Sequence, residues 1–377
     1  MKLSEFNVMM LLTDGFWGFG GISRFNRDFL TALDKCGTVT RTLAFPRIIK
    51  DGLDEDLPES IVYCRASAGG KSRYFRQILR GLYLNSEIGL VICGHIHLLP
   101  LAYMAAKAKR ARLALIIHGF EAWQPTRYPL ANMIASRVDA VIAVSRLSAA
   151  RFAGWSLMSP DRIFVLGNCV DLDRFVPMPR DLELAARYGL IGQRVIMTLG
   201  RLANRERYKG FDEVLEVLPL LVRKIPNIKY LVVGDGDDRD RLEAKADQLG
   251  VTAHVVFAGR VLEAEKVAHY SLADAYVMPS SGEGFGIVLL EAAACGVPVI
   301  GSMADGSKEA LQDGALGRLI DPRNPVMLAE TILDVLKLEA PRRRPDTISA
   351  FGTAEFQARA GQWARRQMEA AHQRAAA

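Results

Sequence analysis

Two carboxylates, Glu283 and Glu291, stand eight positions apart in the stretch SSGEGFGIVLLEAAACGVPVI, residues 280–300. The first sits in a glycine-broken loop, the second in an apolar segment with helical character. An ionised glutamate only accepts hydrogen bonds, so it pairs with hydroxyls. Gly282, Gly284 and Gly286 permit close backbone approach, and a helix beginning near Phe285 offers free N–H donors to an anion through Phe285, Ile287 and Val288. One extended ligand could then lay hydroxyls on both acids, with phosphates between them. The plainer reading is a loop acid and a stray helix charge. Against it, Glu291 lies among Ile287, Val288, Leu289, Leu290 and three alanines, where a carboxylate needs a partner. A metal would need more ligands, and a glycosidase pair would need acids on opposite faces of the scissile bond.

Cations follow another strand end. In TLGRLANRERYKGFDEVL (residues 198–215) Arg201 and Lys209 flank a polar stretch before a helix that starts around Gly210. Two cations beside a helix N-terminus can clamp a pyrophosphate and supply countercharge without Mg²⁺. A basic surface loop is the alternative, and Arg205 and Arg207 read as solvated loop charges. In TDGFWGFGGISRFNRDFL (residues 13–30) Gly18, Gly20 and Gly21 precede an amphipathic helix and could bring N–H groups to a phosphate, or could simply form a tight turn. A dinucleotide fingerprint fits poorly: the spacing is G-x-G-G, and Ala44-Phe45-Pro46 stands where an acid would close the second strand. In LALIIHGFEAW (residues 113–123) His118 ends a strand. It is either a loop residue or a hydrogen-bonding and electrostatic group aimed at a reacting centre, with Glu121 as an acidic companion. His95 and His97 lack the third ligand a metal site would need.

The elements that must position these groups alternate along the chain. Strands are expected over 7–13, 39–44, 61–64, 90–93, 113–118 and 140–144, then over 194–199, 229–233, 254–257, 275–278 and 297–300. Helical patterns lie between them, among them 22–36, 211–224 and 239–249. Such alternation predicts βαβ units with parallel, doubly covered sheets. Two sets predict an α/β chain of two Rossmann-like, doubly wound domains: an N-terminal one over 1–185, completed by a C-terminal helix over 353–377, and a C-terminal one over 186–352. Pro177 and Pro179 mark the expected linker. Ligands of open α/β sheets bind beyond the carboxyl ends of the strands, so two facing domains would enclose a central cleft.

The bulk properties agree. A chain of 377 residues, half of them hydrophobic, is long enough for two cores. Its five cysteines (Cys36, Cys64, Cys93, Cys169, Cys295) are scattered, which suits reduced thiols in a cytoplasm rather than a disulfide frame or a zinc site. Residues 1–12 read as a first strand rather than a signal peptide, and no apolar run reaches the roughly 18 residues of a membrane span. Residues 1–180 carry 23 Lys and Arg against 15 Asp and Glu, a net of +8, and the remainder carries 25 against 27, a net of −2. The basic half includes KSRYFRQILRGLYL (residues 71–84), where Lys71, Arg73, Arg76 and Arg80 interleave with aromatic and aliphatic residues. That pattern suits either a solvated helix face or an anionic membrane surface. No nucleic-acid motif accompanies the charge.

Taken together, these residues resemble the family-4 retaining glycosyltransferases of GT-B fold, over nearly the whole chain. EGFGIVLLE matches the family's E-x7-E signature, and GR…KG, VVGDGDDRDRLE, VIAVS and NCVDLDRF match in order. The resemblance implies a nucleotide-sugar donor held mostly by the C-terminal domain. Glu291 would accept from the ribose, and Glu283 from donor-sugar hydroxyls with the 284–288 amides beside it. Arg201 and Lys209 would neutralise the diphosphate, Gly20 and Gly21 would close over it from the other domain, Val261 would lie near the base, and His118 at the donor sugar. The implied reaction moves a hexose, mannose or glucose, from a donor such as GDP-mannose or UDP-glucose to a glycan or lipid-linked saccharide, with retention, no cofactor and no metal, gated by domain closure. The HGFEAW and DGS features resemble bacterial enzymes of exopolysaccharide or lipopolysaccharide assembly, which implies a cytoplasmic protein resting on the inner face of the membrane. The stretch GSMADGSKEAL (residues 301–311) departs from the family's paired glycines and PE. A nucleotide-sugar epimerase and an inactive relative serving as an assembly partner are the competing expectations. Acceptor-free turnover would mark the first. Retention of Glu283, Glu291, Arg201, Lys209 and His118 weighs against the second.

Overall fold

The computed structural model describes residues 7–18, 20–49, 57–85, 87–338 and 342–376. The chain divides into two compact units, Met1–Cys169 with Thr353–Ala377, and Val170–Gly352. The first holds a seven-stranded parallel sheet of β1 (Asn7–Leu12), β2 (Arg41–Pro46), β3 (Ile61–Tyr63), β4 (Ile88–Cys93), β5 (Arg112–Ile117), β6 (Ala140–Ala143) and β7 (Ile163–Val165), in the order β3-β2-β1-β4-β5-β6-β7. The second holds a six-stranded parallel sheet of β8 (Arg194–Leu199), β9 (Ile228–Val233), β10 (Val255–Gly259), β11 (Ala275–Met278), β12 (Val299–Ser302) and β13 (Arg318–Ile320), in the order β10-β9-β8-β11-β12-β13.

The sequence dictates these sheets through continuous apolar runs. β4, IGLVIC, is buried at every position, as a strand covered by helices on both faces must be. The three-residue edge strands β7 and β13 were not anticipated, because so short a run shows no period. Of the expected first strand, residues 1–6 lie outside the described residues.

Each sheet reverses its strand order once. In the first unit the reversal lies between β1 and β4, in the second between β8 and β11. Loops leaving the carboxyl ends of those strands are the natural ligand-binding loops of such a sheet. They are residues 13–18 and 94–98 in the first unit, and 200–210 and 279–286 in the second.

The helix Thr353–Ala376 packs within the first unit, on the helix Gly21–Lys35. Phe356 meets Phe25 edge-on at 5.6 Å, and Trp363 meets Phe29 at 5.8 Å. The change of unit falls at Cys169/Val170, earlier than the expected 185/186. Residues 170–185 belong to the second unit because their backbone and side chains are spent there. The Val170 amide donates to the Phe351 carbonyl (2.9 Å), Phe175 packs on Tyr270, and Arg180 donates to the Leu272 carbonyl (2.5 Å). Pro177 and Pro179 therefore lie in a strap on the second unit.

Candidate functional site

In the second unit, β11 runs into the turn 279–286, and the helix Ile287–Ala294 follows. That helix starts two residues after Phe285, because the turn spends its backbone on neighbouring segments: the Ser281 amide donates to the Tyr208 carbonyl (2.8 Å), and the Glu283 amide and carbonyl bond to Asp305 and Gly306 (2.9 Å each). The Tyr208 side chain packs on Gly282, so closely that a Cβ there would stand 2.7 Å from the ring. Only glycine fits under it. This contact brings the next residue, Lys209, to Glu283, with Nζ 2.5 Å from Oε1.

The two side chains are 17% and 16% exposed, so each keeps an edge in solvent and the pair is reachable by a ligand. Burial opposes the Lys209 charge, but Glu283, with Tyr208 and Glu206, outweighs that and raises the ammonium pKa. Gly284, Phe285 and Gly286 are buried behind the pair, while Ile287 and Val288 are half-buried at the start of the helix. A cation and an acceptor-only acid fixed against each other, with helix N–H groups adjacent, can receive a phosphate and a polyol together.

Arg201 stands differently from the expected clamp. Its side chain is 58% exposed and paired with Glu206, beside a depression of about 710 Å³ that it lines with Asn204, Arg205, Asp235 and Asp237. An exposed ion pair of this kind is worth at most about 1 kcal/mol, so Arg201 is free to swing to an anionic ligand. Arg207, expected to be solvated, pairs with Asp238 at 3.4 Å.

Glu291 is 2% exposed, and its partners come from a segment more than twenty residues earlier in the chain. Tyr270 donates its hydroxyl to Oε2 at 2.9 Å, and Lys266 Nζ lies 3.2 and 3.3 Å from the two carboxylate oxygens. Lys266 also meets Glu263 at 2.7 Å. Burial opposes its charge, and Glu291 and Glu263 more than restore it, leaving its pKa raised. Burial, then Glu291, pushes the Tyr270 hydroxyl well above its usual value, so it remains a donor. Lys266 and Tyr270 lie four apart on the helix Lys266–Leu272, hence on one face. That spacing, just after the half-buried Val261, was the available signal.

In the first unit, Gly20 caps the helix Gly21–Lys35, and both glycines are exposed with open space where a side chain would stand. His118 follows β5. Its Nε2 lies 2.9 Å from the Gly94 carbonyl, which makes Nε2 the protonated nitrogen and Nδ1 an acceptor. Burial lowers the ring's pKa to about 4 against the opposing pull of Gly94 and Asp14, so at neutral pH it is an uncharged hydrogen-bonding group. Glu121 accepts from the His118 backbone amide (2.6 Å), not from its ring, and fixes the loop instead of the imidazole. His95, also lowered to about 4 by burial, accepts the His97 amide through Nδ1 (3.2 Å).

These two rings predict an acid limb of stability. In the unfolded chain His118 binds its proton at about 6.5, in the fold only at about 4, so the folded state loses stability as pH falls through that window. The urea midpoint is expected to drop between pH 7 and 4.5, and to drop less in His118→Gln. An equal or steeper drop in the variant would contradict the assignment.

The family profile "Glycosyl transferases group 1" matches residues 188–349, and "Glycosyltransferase Family 4" matches residues 19–174. A GDP-mannose-dependent α-(1-6)-phosphatidylinositol monomannoside mannosyltransferase of Mycolicibacterium smegmatis is 36% identical over 65% of this chain and 66% of its own length. A D-inositol 3-phosphate glycosyltransferase of Mycobacterium sp. (strain KMS) is 29% identical over 76% of this chain and 66% of its own length. The chain thus spans just under two thirds of these curated relatives. Among solved structures, Anabaena HepE in complex with UDP is similar at a TM-score of 0.75 with 19% identity, over 95% of this chain and 99% of that one. Sucrose-phosphate synthase from Thermosynechococcus elongatus is similar at 0.74 with 19% identity, over 97% and 100%. Those two likenesses speak to the fold. The chain belongs to the family-4 glycosyltransferases, and its two Rossmann-like parallel sheets are those of the GT-B fold.

Proposed function

We propose that this protein transfers a hexose, mannose before glucose, from a nucleoside-diphosphate sugar to a lipid-linked saccharide of the bacterial cell surface or of an exopolysaccharide. The observation that carries the reading is the Lys209–Glu283 pair, held at 2.5 Å at the start of a helix at the sheet's reversal point. Lys209 meets the departing diphosphate and Glu283 the donor-sugar hydroxyls. Arg201 swings from Glu206 to add charge, and Glu291 receives the ribose in exchange for part of its hold on Lys266 and Tyr270. Val261 borders the base. In the first unit the same reading gives the Gly20 and Gly21 amides to an anion, and the His118 Nδ1 to a sugar hydroxyl.

The acceptor oxygen attacks the anomeric carbon on the face from which the diphosphate leaves, and its proton passes to the departing phosphate oxygen. The anomeric configuration is thereby retained without a covalent enzyme intermediate. The chain's contribution is positioning and countercharge, supplied by Lys209 and Arg201 in place of a metal. The Mycolicibacterium smegmatis mannosyltransferase favours GDP-mannose and a lipid-linked acceptor, the other mycobacterial relative is a D-inositol 3-phosphate glycosyltransferase, and HepE, a fold relative, has been solved with UDP-glucose.

Radiolabelled GDP-mannose or UDP-glucose, incubated with the protein, EDTA and a bacterial lipid extract, should move label into the organic phase with an α-linkage by NMR. Label that stays in water as free sugar or as an epimerised donor would contradict the proposal.

The helix Lys71–Leu84 supports a membrane-side acceptor. It buries Tyr74, Ile78 and Leu82 in the first unit and turns Phe75, Leu79, Tyr83 and Leu84 outward among Arg73, Arg76 and Arg80. No described helix is long and apolar enough to cross a membrane. The protein then works on the cytoplasmic face as a peripheral enzyme. Each arginine near an anionic surface is worth about 1 kcal/mol. Reversing Arg73, Arg76 and Arg80 to glutamate is therefore expected to abolish co-sedimentation with phosphatidylglycerol vesicles while leaving turnover on a water-soluble acceptor. Undiminished sedimentation would remove this helix from the account.

A further inference from the structure

The stretch that departs from the family pattern, residues 301–311, contributes a buried acid to the turn that carries Glu283. Asp305 is 3% exposed. Its Oδ2 accepts from the Ser280 hydroxyl (2.7 Å) and from the Glu283 amide (2.9 Å), and its Oδ1 accepts from the Ser307 amide (3.0 Å). The next residue closes the staple from the other side: the Gly306 amide donates to the Glu283 carbonyl at 2.9 Å. The approach is so close that a Cβ on Gly306 would stand 2.1 Å from the Gly284 carbonyl oxygen, so no other residue can follow Asp305 here. Both peptide groups of Glu283 are thus held by two consecutive residues of a different loop.

We propose that Asp305 is a positioning residue for the candidate site: by holding the Glu283 backbone it sets the Glu283 carboxylate against Lys209, and it does so only as a carboxylate. The proposal rests on the reading of Glu283 as the acid that meets the donor sugar.

The chemistry requires an acid at 305. Three donors converge on its two oxygens, and an ionised aspartate can accept all three. Asparagine has one acceptor oxygen and would turn its NH₂ toward a donor, leaving at least one bond unmade. A protonated aspartic acid has the same defect. Burial, with the like charge of Glu283 beside it, raises the Asp305 pKa to about 6, and the bonds from Glu283, Ser280 and Ser307 hold it from rising further. The charges around it are few. Glu283 and, through it, Lys209 face it from the turn and from the 204–209 segment. On its own side Lys308 is turned away to Asp313 (3.8 Å), with Glu309 following on the same short helix. Because the folded value lies above the usual one, the ionised form is held at a cost, and the staple is intact above about pH 6 and released below it.

The test joins hydrogen exchange of the peptide spanning 280–286 with nucleotide titration and turnover, for wild type, Asp305→Asn and Asp305→Ala. In wild type, protection of the turn, corrected for intrinsic rate, should be present at pH 7.5 and reduced severalfold at pH 5.0. In Asp305→Asn it should already be lost at pH 7.5, with no further pH dependence. The variant's kcat should fall about 10²-fold, the cost of a misplaced reactive group, and its acid limb near pH 6 should vanish. Affinity for whichever of GDP or UDP the wild type binds should stay within about threefold, since a positioning role spares the Glu291 end of the site. Wild-type protection in both variants would overturn the proposal, as would kcat and nucleotide affinity falling together. If the wild type neither binds a nucleotide nor turns over, the functional reading fails, while the exchange data still decide whether Asp305 holds the turn.

Discussion

Lys209→Ala is expected to lower kcat by about 10²–10³-fold, the usual loss when a preorganised charge facing a departing oxyanion is removed. The reason is local. Lys209 is the cation locked beside Glu283, 17% exposed, and raised in pKa by that neighbour, so it carries its charge throughout any working pH. Water admitted by the truncation cannot replace it, because water must reorganise as the diphosphate leaves. The loss should fall on kcat more than on KM, since the charge Lys209 meets is largest in the transition state. Lys209→Arg should recover little, because a planar guanidinium does not reproduce the point contact of a single ammonium with Glu283 Oε1. Steady-state kinetics with labelled donor checks this, and a variant with normal kcat would take Lys209 out of the site.

Glu291→Ala is expected to act on folding and binding together. The change removes one of the two acids that hold Lys266, whose side chain is 14% exposed, and the closest acceptor of the fully buried Tyr270 hydroxyl. Breaking a buried pair from one side costs roughly 3 kcal/mol, softened here because Glu263 remains at 2.7 Å. The melting temperature should fall by several degrees, and nucleotide affinity by a further ~1–3 kcal/mol if the ribose uses this carboxylate. Glu291→Gln separates the two effects, since it keeps the shape and an acceptor for Tyr270 while dropping the charge. Calorimetry on both variants decides. An unchanged melting temperature would contradict the buried network, and unchanged nucleotide affinity would sink the ribose assignment.

What could be read from the sequence divides along physical lines. Strand interiors were legible because parallel strands covered on both faces are unbroken apolar runs, and glycines mark where the backbone leaves them. That alone placed Glu283, Lys209 and His118 at carboxyl strand ends. Illegible were the contacts set by packing between distant segments. Nothing local says that Lys266 and Tyr270 will cover Glu291 across 25 and 21 residues, or that Asp305 will reach Glu283 across 22. Charge choice was also hidden. The sequence offers Arg201 to a phosphate, whereas in the fold it pairs with Glu206, five residues away, because a flexible exposed arginine settles on a nearby acid. The change of unit at Cys169 rather than 185 has the same origin: prolines suggested a linker, but Phe175 and Arg180 find their partners in the second unit.

Lys209, Glu283 and Glu291 are proposed to form a nucleotide-sugar site that supplies its own countercharge. Isothermal titration of the purified protein with GDP and with UDP, in EDTA, tests it most directly, with Lys209→Ala alongside. One of the two nucleotides is expected to bind in the ~1–100 μM range without metal, and the variant to bind it at least about tenfold more weakly. Binding of neither nucleotide, or binding that returns only when Mg²⁺ is added, would contradict it.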